Sequence, residues 1–176
     1  MGRHEQYSNS VLFPNMERMD FHQPVKNMNI RHILVPVDFS EGSSRAIEYA
    51  VGIGDKFSSR ITLLHVLEPA PPPPDGPMFS FDTYGQAMAE AASKELHRLS
   101  STVTLNMKVD TDMTTGIPWS SIVERAGQGG IDLIVMPTHG RTALKHLVLG
   151  SVAERVVQHA PCPVLVVRRH PASGTV

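Results

Sequence analysis

The sequence predicts an α/β fold, a five-stranded parallel sheet with helices on both faces. Three observations predict it. Apolar runs such as RHILVPV (31–37) and IDLIVMP (131–137) lack the alternation of a half-wetted strand, so they read as strands buried on both sides. Segments with apolar residues at helical spacing separate these runs. The order is therefore βαβαβαβαβ, and strands joined through helices lie parallel.

RHILVPV is the first strand, and Ser43 or Ser44 is placed to cap the helix after it. Ala46, Ile47, Ala50, Val51 and Ile53 supply that helix's apolar positions. RITLLHV (60–66) is the second strand. PAPPPPDGP (69–77) is too stiff and too poor in donors for helix or sheet and reads as a polyproline loop. A helix over 81–100 uses Ala87, Ala91, Leu96 and Leu99, and TLNMKVD (104–110) alternates like a half-covered third strand ending at Asp110. Pro118 suits the first turn of the next helix, whose stripe is Ile122, Val123 and Ala126 and whose stop is Gly127, Gly129 and Gly130. IDLIVMP is the fourth strand, SVAERVVQHA (151–160) the last helix and PVLVVRR (163–169) the last strand. The ordered domain spans 30–170, with a flexible extension over 1–29 and a short tail at 171–176.

Bulk properties exclude several function classes. The net charge of −1 lacks the concentrated basic surface that a nucleic-acid backbone requires. No stretch reaches the ~18–20 apolar residues of a membrane span, and no apolar leader is visible, so a cytoplasmic location is expected. The single cysteine, Cys162, rules out an intrachain disulfide and reads as a small buried hydrophobe between two prolines. His139, His146, His159 and Cys162 match no compact metal-ligand spacing, so no metal site is expected.

Ligands of doubly wound sheets sit beyond the carboxyl ends of the strands, where strand order reverses. Two strand ends stand out, Pro36-Val37-Asp38 and Met136-Pro137-Thr138-His139-Gly140. If they are neighbours, Asp38 faces a glycine loop across one crevice and can accept from ribose hydroxyls. Gly150 admits close backbone approach to a phosphate, and Ser151 opens a helix whose free N–H groups attract anions. Each residue has a plainer reading too. Asp38 can brace its own loop, and Ser151 with Glu154 forms a capping box. Arg141 and Lys145 share a helical face, with Arg141 the better placed for phosphate.

ILVPVDFS, ITLLHV, GIPWSSIV and MPTHGRTALKHLVLGSVAERVVQHAPCPVLVV stand in one register over 31–169, and in them the chain resembles the universal stress protein family. The resemblance implies a Rossmann-like, adenine nucleotide alpha hydrolase-like sheet ordered 3-2-1-4-5, and homodimers joined through the last strand (163–169). Its ATP-binding branch carries G-x2-G-x9-G-[ST]. Here Gly140, Gly150 and Ser151 match, while Pro137 replaces the first glycine. By resemblance Asp38 holds the ribose, and Val66 and Met136 flank adenine. Gly140, Arg141, Gly150, Ser151 and Val152 line the phosphates, where Mg could accompany ATP, and Pro36, Val37, Pro137 and His139 complete the nucleotide site. The expected function is a dimeric ATP-binding regulatory module with no catalytic residues assigned and at most slow hydrolysis. The alternative is a dimeric signalling member that works without nucleotide, and Pro137 is the residue that favours it.

Overall fold

The computed structural model describes residues 29–69, 81–103, 107–140 and 149–168. The expected extension up to residue 28, the proline tract from residue 70 and the tail lie outside the described residues. The elements are β1 (His32–Pro36), α1 (Glu41–Phe57), β2 (Arg60–Leu67), α2 (Phe81–Thr102), β3 (Val109–Thr115), α3 (Pro118–Gly127), β4 (Leu133–Pro137), α4 (Ser151–His159) and β5 (Val164–Val167). All pair in parallel, in the order β3-β2-β1-β4-β5.

Burial explains the unalternating strands. Every residue of β1 is buried, because odd and even side chains enter different cores. Ile33, Val35, Ile61 and Leu63 meet Ala46, Ile47 and Ala50 of α1 and Leu96 and Leu99 of α2. On the other face Leu34, Leu64, Ile134 and Met136 meet Ile122 and Ala126 of α3 and Ala153 and Val156 of α4. The carboxylate of Asp132 accepts from the backbone N–H groups of Arg31 (2.8 Å) and His32 (3.0 Å), tying the start of β1 to that of β4.

Three local expectations need correction. Ser40, rather than Ser43 or Ser44, caps α1. It has extended backbone and its side chain accepts from the Ser43 N–H, whereas Ser43 is itself buried in the first turn. Ala87 and Ala91 of α2 are exposed, and the buried stripe is Ala92, Leu96 and Leu99. The third strand lies later than 104–110. The β2–β3 register runs from Ile61↔Val109 to Leu67↔Thr115, so Asp110 stands near the strand's beginning, far from the ligand end. The alternation that suggested the earlier position has another cause at Met107, whose thioether fills the space beside Gly54 of α1. A Cβ on Gly54 would stand 3.0 Å from Met107 Sδ. The polar VDTDMTT is accepted as a strand because β3 is a sheet edge, where threonines suit the pleat and one side is wet.

His32 is 3% exposed and its Nε2 lies 2.7 Å from Thr62 Oγ1 on the neighbouring strand. Burial, and then the nearby Arg60 cation, push its pKa below the ordinary 6.5. The unfolded chain therefore takes this proton first as pH falls. The stability that neutral His32 contributes is present above pH 6.5 and lost as pH drops from there toward the folded-state value. Thermal melts between pH 8 and pH 5 should show a steeper acid-side fall for the wild type than for His32→Asn. Parallel curves would remove His32 as the cause.

Candidate functional site

Two prolines end the two central strands, and their directions decide what happens there. The Val37 N–H donates to the Leu64 carbonyl of β2 (2.8 Å), so by alternation Pro36 faces β4. The Thr138 N–H donates to the Val167 carbonyl of β5 (3.0 Å), so Pro137 faces β1. The β1–β4 register reads Ile33↔Leu133 and Leu34↔Ile134. The next rung would join Pro36 to the strand around Met136 through two donors, the N–H of Pro36 and the N–H of Pro137. Proline has none. The central ladder therefore stops short of both strand ends, and β1 and β4 are released to part at the point where strand order reverses.

A cavity of about 650 Å3 occupies that place. Pro36, Val37, Asp38, Val66, Met136, Pro137, His139, Gly140, Gly150, Ser151 and Val152 all line it, so the fold gathers these sequence-predicted residues from four separate segments. Arg141, Lys145 and His146 lie outside the described residues. The cavity walls also include His65, Leu64, Ile122, Tyr84 and Met88, which sequence reading missed. Tyr84 and Met88 stand four apart on α2, a spacing that could have marked them as sharing one face.

Asp38 braces its own loop and also lines the crevice. Its Oδ1 accepts from the Ser40 N–H (3.1 Å), the Ser40 hydroxyl (2.6 Å) and the Ser43 hydroxyl (2.6 Å). Its Oδ2 is turned to the glycine loop, where a Cβ on Gly140 would stand 2.7 Å from it. The bracing has a local cost, since Phe39 is held at φ 64, a conformation that disfavours a bulky side chain by about 1 kcal/mol or more. The hydroxyls of Ser40 and Ser43 hold the turn against that cost, and Ser40 also caps α1. One oxygen thus fixes the loop while the other faces the crevice.

The start of α4 corrects the capping-box reading. Gly150 is the N-cap, no side chain among the described residues caps the helix, and Ser151 is the first helical residue with its side chain exposed. The Glu154 N–H bonds to the Gly150 carbonyl (2.9 Å) as the helix's first rung. The N–H groups of Ser151, Val152 and Ala153 precede that rung and have no carbonyl within the helix. With the helix dipole behind them they make the electropositive wall of the crevice. Gly150 proves necessary for a second reason. Its N–H donates to the Thr138 carbonyl (2.8 Å), and a Cβ there would stand 3.0 Å from the same oxygen. Beside it His139 keeps Nε2 enclosed and without a hydrogen-bond partner among the described residues.

The arrangement suits an elongated ligand with an anionic end at α4, hydroxyls near Asp38 and a flat apolar part over Val66 and Met136. No group of three or more His, Cys, Asp or Glu among the described residues is placed to hold a metal ion. Cys162 packs at the edge of the α3–α4 core, and burial pushes its thiol pKa up, which makes a thiolate harder to form.

Comparison with known proteins agrees with this architecture. The model of the universal stress protein family matches residues 29–168. Universal stress protein MJ0531 of Methanocaldococcus jannaschii is 34% identical over 143 residues, covering 79% of this chain and 82% of that protein. The solved structure of MJ0577, a universal stress protein of the same organism, superposes with a TM-score of 0.71 at 28% identity, over 82% of this chain and 99% of that one. The universal stress protein of Archaeoglobus fulgidus, solved in complex with dAMP, shares the fold with a TM-score of 0.57 at 21% identity, over 79% of this chain and 98% of that one.

The contact at Gly150 is testable without a ligand. Gly150→Val forces side-chain atoms against the Thr138 carbonyl and should lower unfolding free energy by about 1–3 kcal/mol, as overpacking does. Urea denaturation followed by circular dichroism measures it. An unchanged midpoint would mean that the turn joining β4 to α4 does not close on Gly150.

Proposed function

The chain belongs to the universal stress protein family, and from that premise we propose that its crevice binds an adenine nucleotide, ATP foremost, in a dimeric regulatory module. The observation that carries the reading is the uncapped N-terminus of α4 lying across the parted strand ends from Asp38. Phosphates would sit against the N–H groups of Ser151 and Val152, with Gly140 admitting them beside Asp38. The ribose would meet Asp38, and the base would lie between Val66 and Met136. The fold accommodates such a ligand in the Archaeoglobus fulgidus protein, which was solved with dAMP. A Mg ion would enter with the ATP phosphates rather than on a resident protein site. His139 lines the same crevice but its Nε2 is enclosed, and with no metal-ligand group among the described residues, turnover is expected to be slow at most.

Pro137 favours a second reading, in which the module works without nucleotide. The proline removes only a donor, however. Its carbonyl lies on the β1 side with the crevice, so acceptor contacts stay available. Calorimetric titration with ATP, ADP, AMP and cyclic AMP separates the two readings. The informative variant is Ser151→Asp. An acid in the first turn favours the helix dipole, so the free protein should melt at the same or a higher temperature. The same charge repels phosphate and should weaken ATP by at least about tenfold. Absence of heat with every nucleotide in the wild type would leave the nucleotide-independent reading.

The dimer is proposed through β5. Its four residues, VLVV, carry no charge, and an uncharged open edge invites pairing. The Pro163 and Val167 carbonyls are bonded to β4, so the backbone groups of Val164 and Val166 face outward. Val166→Pro deletes an outward N–H and leaves the β4 ladder intact. Sedimentation equilibrium at micromolar concentration should show a dimer for the wild type and a monomer for Val166→Pro. A wild-type monomer ends the proposal; a dimeric variant moves the interface elsewhere.

A further inference from the structure

We propose that the cavity has two lobes, and that its outer lobe takes an apolar group carried on the 6-amino nitrogen of an adenine nucleotide. The inference rests on the nucleotide reading above and names a narrower ligand class for that site. It begins with the length of α2. Its 22 residues make a helix about 33 Å long, whereas the 7 residues of β3, on which it packs, span about 23 Å. About two turns of α2 must therefore stand beyond the sheet. Burial shows which ones. Tyr84, Met88, Ala92, Leu96 and Leu99 recur at helical spacing on one face. Ala92, Leu96 and Leu99 are buried, but Met88 of the same stripe is 47% exposed. The overhang is thus at the start of the helix, past the carboxyl end of β2, and it carries its apolar face with it.

That face looks onto the crevice. Tyr84 and Met88 line the same cavity as Val66 and Met136, and Thr115 at the end of β3 lines it too. The helix α3 lies on the other face of the sheet, so its Pro118 and Ile122 form the facing wall. Ile122 also belongs to the cluster that holds Met136 and Val66, which makes the outer lobe continuous with the position proposed for the base. Direction follows from the ligand's own chemistry. With phosphates at α4, ribose at Asp38 and base at Val66, the nucleotide runs from β4 across β1 to β2, and β3 is the next strand. A purine carries its ribose on the five-membered ring and its 6-amino group on the remote edge of the other. A substituent on that nitrogen leaves the base in place and enters the space between α2 and α3. Tyr84, Met88 and Ile122 would bury it, which favours an aryl or branched alkyl group, while Glu68 in the same wall disfavours an anionic one.

The test is calorimetric titration of the full-length protein with ATP and with N6-benzyl-ATP, which differ only in that substituent. The wild type is expected to bind N6-benzyl-ATP about 3–30-fold more tightly, the gain from burying part of one aromatic ring. Met88→Glu keeps the length and helix propensity of the side chain and removes its apolar end. In that variant the ratio of the two affinities should fall to about one or below. The ratio is the readout, because the new charge acts on both triphosphates alike. Tyr84→Ser should lower it as well. Equal or weaker binding of N6-benzyl-ATP than of ATP by the wild type means that the lobe is closed to ligands, and overturns the proposal while the nucleotide reading stands. A preference that survives both variants places the benzyl group elsewhere and overturns it too. If neither ligand binds the wild type, the nucleotide reading has failed and this inference falls with it.

Discussion

The rung missing between β1 and β4 is the constraint on which the ligand end of this molecule depends. A parallel sheet buried on both faces is a closed object, and its central strands would ordinarily zip to their ends. Here both donors of the next rung are removed, one by Pro36 and one by Pro137, and the ladder stops after Leu34↔Ile134. The outer ladders continue, since Val37 still bonds β2 and Thr138 still bonds β5. The sheet therefore stays whole while its centre parts on one end only. That localises the crevice to the switch point without weakening the apolar layers beneath it.

Two helix starts then converge on the gap, and they are treated oppositely. The start of α1 is capped by Ser40 and packed close, for a Cβ on Gly42 would stand 3.0 Å from the Pro137 Cβ. The start of α4 has no side-chain cap among the described residues. The first is satisfied internally and serves as a platform for Asp38; the second leaves the N–H groups of its first turn without a carbonyl inside the helix. Asp38 links them, with one oxygen committed to the capped turn and the other turned toward the loop that leads to α4.

The sequence made the architecture readable because burial on both faces leaves so plain a mark. HILVP and LIVMP admit no other partner than two covering layers, and the strands they form stand where expected. The third strand was misplaced because an edge strand carries a weak signal. VDTDMTT has little apolar content, while the alternation before it came from a methionine recruited to fill the gap at Gly54. Most of the cavity lining was legible for a different reason, since strand ends at a switch point are set by topology, and the family resemblance supplied Val66, Met136 and Val152. Roles were less legible than positions. The S-x-x-E pattern cannot tell an N-cap serine from a first helical residue, because backbone angles at Gly150 decide it. Pro137 read as a defect in a signature until its missing N–H could be given a direction. His65 was missed because one histidine in a buried strand has no pattern, and only the Val37 carbonyl reveals its tautomer.

The two sheet edges differ in charge, and the uncharged one lies a single strand from the crevice. The β3 edge carries Asp110 and Asp112, the latter paired with Arg125 at 2.6 Å, and charges of this kind keep other strands away. The four residues of the β5 edge, VLVV, carry no charge. Between β5 and the crevice stands a single strand, β4, whose last residue, Pro137, pairs with Val167 of β5 and also faces the gap toward β1. Thr138 bonds β5 through its N–H and Gly150 through its carbonyl, so one residue touches both the edge strand and the cap of α4. In the proposed dimer, crevice and edge are thus joined by two hydrogen bonds through one residue, the N–H of Thr138 belonging to the peptide before it and the carbonyl to the peptide after it.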